Sequence, residues 1–314
     1  MSPIQELVPL GKTGIQVTQL GVGAMSWGDR MMWGYGRGYQ EEDVRQAFET
    51  SVAEGINFFD TAEVYGSGTS ERFLGRFRAS VSAPLVVATK FMPFPWRLTH
   101  AAIQRALRNS LKRLELESVD LYQVHWPFPP VPVERWANAL ADFVEAGLAR
   151  AVGVSNYNED QMRRANATLA RRGIPLASNQ VIYHLLDRRV ERNGLLKACQ
   201  ELGITLIAYS PLGQGVLTGK YTPEKPFSGI RSRLYSRSFL EKIQPLIRQM
   251  REVGREHGGK TAAQVALNWC ICKGALPIPG AKNARQAQEN AGALGWRLSE
   301  AAVAALDELS AKIA

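Results

Sequence analysis

Little in this sequence suits a disulfide framework, a metal site or a membrane span. Its three cysteines, Cys199, Cys270 and Cys272, are too few for a disulfide scaffold and indicate a reducing compartment. Cys270 and Cys272 lie two apart in an apolar helical stretch over residues 265–272, so they point different ways and read as buried thiols. The four histidines, His100, His125, His184 and His257, show no metal-ligand spacing, and no metal is expected. No run approaches the roughly 20 apolar residues of a membrane helix. The first residues, Met1-Ser2-Pro3-Ile4-Gln5-Glu6, lack a charged segment leading into an apolar one. A soluble, cytoplasmic protein is the expectation.

Positive charge is plentiful but scattered. The net charge is +9, from 38 Lys and Arg against 29 Asp and Glu, yet no five-residue basic run occurs. Pairs such as Arg163-Arg164, Arg171-Arg172 and Arg188-Arg189 fall near helix ends or in loops, where cations suit the helix dipole or simply solvate. With no nucleic-acid motif either, the charge fits an anionic small molecule, such as a phosphorylated cofactor, better than a nucleic acid.

The 314 residues are 45% apolar and 21% charged, enough for a large core. Leu7-Val8-Pro9-Leu10 and Gln16-Val17-Thr18-Gln19-Leu20 flank a turn-like Gly11-Lys12-Thr13-Gly14, which predicts a hairpin. Thereafter a short β-branched run, a loop and an amphipathic helix alternate. Strands are expected at 19–22, 57–60, 85–89, 119–124, 151–154, 178–181, 205–209 and 276–278. Helix faces read as Val44, Ala47, Phe48, Ser51 and Val52, then Val133, Trp136, Ala137, Leu140, Phe143 and Val144, then Leu240, Ile243, Ile247 and Met250. Gly55, Gly147, Gly173 and Gly203 mark helix stops.

Eight such alternations mean a parallel sheet that closes, an α/β fold of the (β/α)₈ TIM-barrel kind, with 1–314 as one domain. Helices over 238–257 and 299–313 exceed the count and are placed outside. A doubly wound dinucleotide fold is excluded. Gly21-Val22-Gly23-Ala24-Met25-Ser26 lacks the third glycine, and a loop running through Gly38 follows where a helix is needed.

Chemistry in such a barrel sits where strands end. Those ends carry Asp60 and Tyr65, Lys90, Gln123 and His125, Ser155 and Asn156, Asn179 and Gln180, and Tyr209 and Ser210. Four of them have a joint logic. Reducing a carbonyl by hydride transfer needs a proton for the developing alkoxide. Tyr65 can give it, and a nearby Lys90 ammonium would lower the phenol's pKa from about 10. Asp60 can hold Lys90, while His125 can orient the carbonyl oxygen or share the proton. Singly, each has a plainer reading as a helix cap, a solvated charge, a structural histidine or a loop residue. A different chemistry, a Schiff base on Lys90, is distinguishable by borohydride trapping.

The glycine-rich Tyr209-Ser210-Pro211-Leu212-Gly213-Gln214-Gly215 lets backbone approach a pyrophosphate. Pro279-Gly280-Ala281-Lys282-Asn283 leads into a helix containing Arg285. Phosphates recur at these two barrel loops, and the two cations favour an extra phosphate, hence NADPH. Trp27, Trp33, Trp96 and Trp126, beside strand-end loops, are candidate walls of an apolar substrate pocket with Tyr65 and His125.

Over essentially its whole length the chain resembles the aldo-keto reductases. The resemblance rests on Phe58-Phe59-Asp60-Thr61-Ala62-Glu63-Val64-Tyr65-Gly66, Val152-Gly153-Val154-Ser155-Asn156-Tyr157, Ala208-Tyr209-Ser210-Pro211-Leu212-Gly213 and Pro277-Ile278-Pro279-Gly280-Ala281-Lys282. It implies an NADPH-dependent reductase of aldehydes, and of ketones or quinones, with Asp60, Tyr65, Lys90 and His125 catalytic. It implies further that Ser155, Asn156 and Gln180 hold the nicotinamide carboxamide and that Tyr209 stacks on the ring. Gly23, Ala24 and Met25 would line the cofactor near the first strand. Ser210, Pro211, Leu212, Gly213, Gly215, Lys220 and Arg231 would hold the pyrophosphate, and Gly280, Lys282, Gln286, Glu289 and Asn290 the adenosine end. The helix that carries Gln286, Glu289 and Asn290 is similar to the branch with potassium-channel β subunits and bacterial or plastid reductases. That branch adds an alternative, a redox-sensing regulatory protein with slow turnover. The match is weakest over residues 27–40 and 223–238, the loops that shape a substrate pocket.

Overall fold

The structure, a computed structural model, describes residues 6–227, 232 and 235–313. Strand β1 (Leu7–Pro9) pairs antiparallel with β2 (Gln16–Thr18), Val8 opposite Val17. Their turn seals the barrel floor. Gly11 N donates to Thr205 Oγ1 at 2.7 Å, and a Cβ on Gly11 would stand 2.5 Å from the Ala177 carbonyl oxygen, so only glycine fits.

Eight parallel strands follow: β3 (Val22–Gly23), β4 (Phe58–Asp60), β5 (Val86–Phe91), β6 (Val119–Val124), β7 (Ala149–Ser155), β8 (Leu176–Ile182), β9 (Thr205–Tyr209) and β10 (Leu276–Ile278). Each pairs with the next in the chain. Gly21 N donates to Pro277 O and Gly23 N to Pro279 O, both at 3.0 Å, which joins the first barrel strand to the last. The expected (β/α)₈ barrel is therefore the fold.

Strand β3 is shorter and later than residues 19–22. Thr18 turns the chain there, its N–H donating to Asn57 Oδ1 at 2.8 Å and its hydroxyl to Leu20 O at 2.8 Å. Ladder pairing starts only beyond that bend.

The barrel helices are α1 (Glu41–Ala53), α2 (Thr69–Arg78), α3 (His100–Leu114), α4 (Val133–Glu145), α5 (Glu159–Ala170), a short α6 (Arg189–Arg192) with α7 (Leu195–Leu202), then α9 (Ala262–Cys272) and α10 (Ala284–Ala291). The two surplus helices are α8 (Arg237–Glu256), between α7 and α9 in the chain, and α11 (Glu300–Ala311). They pack on each other outside the ring. Thr99, Asn158, Ser236, Thr261, Asn283 and Ser299 cap their helices by accepting an N–H three residues on. The stops Gly55, Gly147, Gly173 and Gly203 all have φ between 67° and 82°.

Two apolar layers result. Leu10, Ile15 and Val17 of the hairpin meet Phe58, Ala88, Leu121, Ala151, Ile207 and Ile278 inside the barrel floor. The larger layer lies between sheet and helices. Full burial of each large side chain is worth about 1.5–3 kcal/mol. Among the described residues, no helix is long and apolar enough to cross a membrane, and no cluster of three or more His, Cys, Asp or Glu could hold a metal ion.

Candidate active site

Strand register builds the first part of the site. Asp60, the last residue of β4, lies opposite Ala88, and Lys90, two residues further along β5, lies opposite Gln123. Residues two apart on a strand share a face, so Lys90 and Gln123 join Asp60 in a polar layer above the apolar floor. Lys90 is completely buried. Its Nζ donates to Asp60 Oδ1 at 2.5 Å, to Thr61 O at 2.8 Å and to the Tyr65 hydroxyl at 3.5 Å. The second Asp60 oxygen accepts from Gln180 Nε2 at 2.9 Å and from Gln123 Nε2 at 3.2 Å. Asp60 thus accepts from three side chains, Lys90, Gln123 and Gln180.

Tyr65 is brought over Lys90 by a tight turn, Tyr65–Gly68. Gly66 has φ +53°, and a Cβ there would lie 2.9 Å from the Gly28 carbonyl carbon. Beneath the turn, Ser70 Oγ donates to Ala24 O at 2.9 Å and sits 2.7 Å from Thr61 Oγ1. Buried Glu71 accepts from Thr89 Oγ1 and from Arg113 Nε, both at 2.5 Å. These contacts anchor the start of α2, and with it the tyrosine.

His125 follows β6 directly, its ring edge-on to Tyr65 at 5.8 Å between centroids. Asn156, at φ 61°, donates through Nδ2 to His125 O at 3.0 Å and to Ser155 Oγ at 3.1 Å, and accepts from the Tyr209 hydroxyl at 3.0 Å. Ser155 Oγ in turn donates to Gln180 O at 2.8 Å. Ser155, Asn156, Gln180 and Tyr209 thus form one connected group beside Asp60.

The electrostatics separate the roles. Burial pushes the Tyr65 hydroxyl above its ordinary value; Lys90 pulls it down and Asp60 pushes it up again. Lys90 does act in the direction expected of it, but burial outweighs it, and Tyr65 holds its proton. Burial also opposes the Lys90 charge, yet Asp60 and Tyr65 more than offset this and raise it. A lysine kept as a buried ammonium is no Schiff-base nucleophile. His125 is lowered to about 3, first by burial and then by Lys90, so it is neutral. A neutral imidazole can orient a carbonyl oxygen but cannot act as the acid.

From this cluster a cavity of about 910 Å³ extends to the start of α10. Gly23, Met25, Asp60, Tyr65, His125, Asn156, Gln180 and Tyr209 line one part of it. Ser210, Pro211, Leu212, Gly215 and Lys220 line it along the loop after β9, and Gly280, Lys282, Gln286, Glu289 and Asn290 at α10. The backbone is left-handed at Gly213, Gln214 and Gly215, and the two glycines allow the turn. Asn283 caps α10 by accepting Gln286 N at 3.0 Å, and Lys282 N donates back to Gln286 Oε1 at 2.9 Å.

An elongated, phosphorylated dinucleotide fits these features. Lys220, Lys282 and the N-terminus of α10 line the cavity, and so does the protonated hydroxyl of Tyr65. Two buried polar atoms of residues lining it, Ser26 Oγ and His125 Nδ1, have no hydrogen-bond partner among the described residues.

Several expected residues stand elsewhere. Lys90 and Ser155 are buried behind the cavity surface, and Ala24 and Gly213 are buried too. Arg231 lies outside the described residues. Of the four tryptophans, Trp33 and Trp126 line the cavity. Trp27 does not: the 3₁₀ turn Ala24–Ser26 carries it into the core, where it packs on Phe48, Phe59 and Phe77 and donates Nε1–H to Ala281 O at 2.8 Å. Trp96 does not either, being 77% exposed and stacked on Phe94.

Sequence reasoning also missed residues. Gln123 was visible at a strand end, and its two-residue spacing from His125 was the available signal. Ser26, Met32, Val64 and Tyr221 line the cavity from loops whose path no local pattern reveals.

Residues 19–311 match the Aldo/keto reductase family. The chain is 43% identical over 298 residues to the chloroplastic pyridoxal reductase of Arabidopsis thaliana, covering 91% of this chain and 81% of that protein. It is 34% identical over 291 residues to aldo-keto reductase yakc of Schizosaccharomyces pombe, whose name specifies NADP(+), covering 86% and 84%. Among solved structures it is similar to the thermostable aldo-keto reductase Tm1743, with TM-score 0.79 and 30% identity over 97% of this chain and 100% of that one.

Proposed function

The chain belongs to the aldo/keto reductase family of oxidoreductases, and on that premise we propose that it reduces aldehydes to alcohols with NADPH. The observation that carries this reading is the Lys90 ammonium between Asp60 and the hydroxyl of Tyr65, where Asp60 and Tyr65 line the same cavity as Lys282. Reduced nicotinamide, when bound, supplies the hydride that goes to the carbonyl carbon. Tyr65 gives its proton to the carbonyl oxygen, and the Lys90 charge stabilises the phenolate left behind. Asp60, Gln123 and Gln180 keep Lys90 in place. Neutral His125 orients the oxygen. Asn156, Gln180 and Tyr209 are the side chains that would hold the nicotinamide, with Ser155 behind them.

The apolar Met25, Val64 and Trp126, which line the cavity with Tyr65, suit an aromatic or otherwise flat aldehyde. The pyridoxal reductase likeness makes pyridoxal the first such substrate to try. The test is oxidation of NADPH, followed optically, against aromatic and aliphatic aldehydes including pyridoxal, with NADH as control. Turnover with NADPH on an aromatic aldehyde supports the reading. Tight NADPH binding without turnover on any carbonyl contradicts it.

A further inference from the structure

Lys282 is held from the opposite side of the cavity mouth. Its Nζ donates to the Trp33 carbonyl oxygen at 2.8 Å, lies 5.0 Å from the centroid of the Trp33 ring and 4.7 Å from that of Tyr39. Both aromatics belong to the loop between β3 and α1, about 250 residues away in the chain, and the loop is braced for the task. Asp29 Oδ1 accepts Met32 N at 2.7 Å and Trp33 N at 2.9 Å, and Tyr35 N donates to Asp29 O at 2.9 Å. The buried Tyr39 hydroxyl donates to Ser26 O, and its ring meets Tyr35 edge-on at 5.7 Å. Arg285, in the first turn of α10, contrasts with this. Its side chain is 74% exposed and pairs with Glu289 at 3.7 Å.

We propose that Trp33 and Tyr39 are positioning residues for cofactor selectivity, fixing the Lys282 ammonium where it meets the extra phosphate that distinguishes NADPH from NADH. The inference rests on the NADPH reading above. Lysine is among the side chains that lose most rotamer freedom when immobilised. In this protein that loss has been met before any phosphate arrives, which strengthens binding to the phosphate. Ring faces hold a cation without using its N–H donors, so the two aromatics orient Lys282 by attraction to its charge. NADH has no phosphate at this position and gains nothing from the arrangement. Trp33 therefore acts in this account at the adenosine end, rather than as the substrate wall that its sequence position suggests.

The test is calorimetric measurement of Kd for NADPH and NADH with wild type, Trp33→Leu, Trp33→Phe, Lys282→Met and the Trp33→Leu/Lys282→Met pair. Wild type should prefer NADPH. Trp33→Leu should cut that preference about three- to tenfold, by weakening NADPH alone. Trp33→Phe should keep most of it. In the Lys282→Met background the leucine substitution should change nothing further. If the leucine variant does not fold, Trp33→Phe carries the test with an expected loss of about twofold. An equal effect on both cofactors, or a gain in NADPH affinity, overturns the inference while leaving the NADPH reading intact. A wild type indifferent to the two cofactors overturns that reading and the inference with it.

Discussion

Lys90 Nζ stands 3.5 Å from the Tyr65 hydroxyl but 2.5 Å from Asp60 Oδ1. The ammonium is thus committed to the carboxylate and touches the phenol only at the limit of a hydrogen bond. That order matters. Asp60 keeps Lys90 charged, and the longer contact leaves Tyr65 protonated until the developing alkoxide takes the proton.

Replacing Lys90 should separate stability from chemistry. Lys90→Met leaves the buried Asp60 carboxylate without its cation, a loss of about 3–5 kcal/mol. Turnover should fall by about 100-fold or more, because the phenolate loses its stabilising charge. Adding Asp60→Asn removes the unpaired charge. Urea unfolding should then recover much of the loss while turnover stays low. Recovery of both would assign Lys90 a structural role alone.

The pH profile of kcat/KM for reduction should lack a histidine limb. His125 is lowered to about 3, so no group of the proposed machinery titrates near pH 6.5. Tyr65 and Lys90 are both raised, so the rate should fall only above about pH 10, as the donor proton is lost. A profile following one protonation between pH 6 and 8 would mean that His125 is charged in the working enzyme.

Acid should destabilise the fold for the same reason. His125 is lowered to about 3 and His184 to about 4, each mainly by burial. As pH falls below about 6.5, the unfolded chain binds protons at both positions that the folded chain refuses, so stability falls with falling pH until the folded values are reached. The slope contributed is about 1.4 kcal/mol per pH unit for each histidine. Denaturant midpoints from pH 7 to pH 4 measure it, and His184→Asn should flatten the curve by about half.

Gly66→Ala tests the loop that presents Tyr65. The substitution puts a Cβ 2.9 Å from the Gly28 backbone at a positive φ, with a stability cost of about 1–3 kcal/mol. Because the displaced turn carries Tyr65, kcat should fall more than the fraction folded does, with KM little changed. Thermal unfolding beside steady-state kinetics separates the two.

The alternation of strand and helix made the barrel legible, and four of its helices end at a glycine, Gly55, Gly147, Gly173 and Gly203, with the next strand starting within a few residues. Asp60, Lys90 and His125 were legible as neighbours because a strand-end position follows from the strand boundary alone. Trp27 was not. The side to which the turn Ala24–Ser26 throws the next ring depends on Ala281, which is distant in sequence. Trp96 likewise looked like a wall residue because it follows β5, yet its ring is exposed and stacks on Phe94. The Trp33–Lys282 contact joins two loops that become neighbours only when the ring closes through Gly21 and Gly23. The late start of β3 has a similar origin, in the Asn57 side chain that bends the chain at Thr18.

The central claim, that Tyr65 is the proton donor, is tested most directly by Tyr65→Phe, assayed for NADPH-dependent aldehyde reduction and for NADPH Kd on the same preparation. The account predicts turnover lower by about 10²–10⁴-fold with Kd within about twofold of wild type. Turnover above about a tenth of wild type, with Kd unchanged, would contradict it and move the proton to another group.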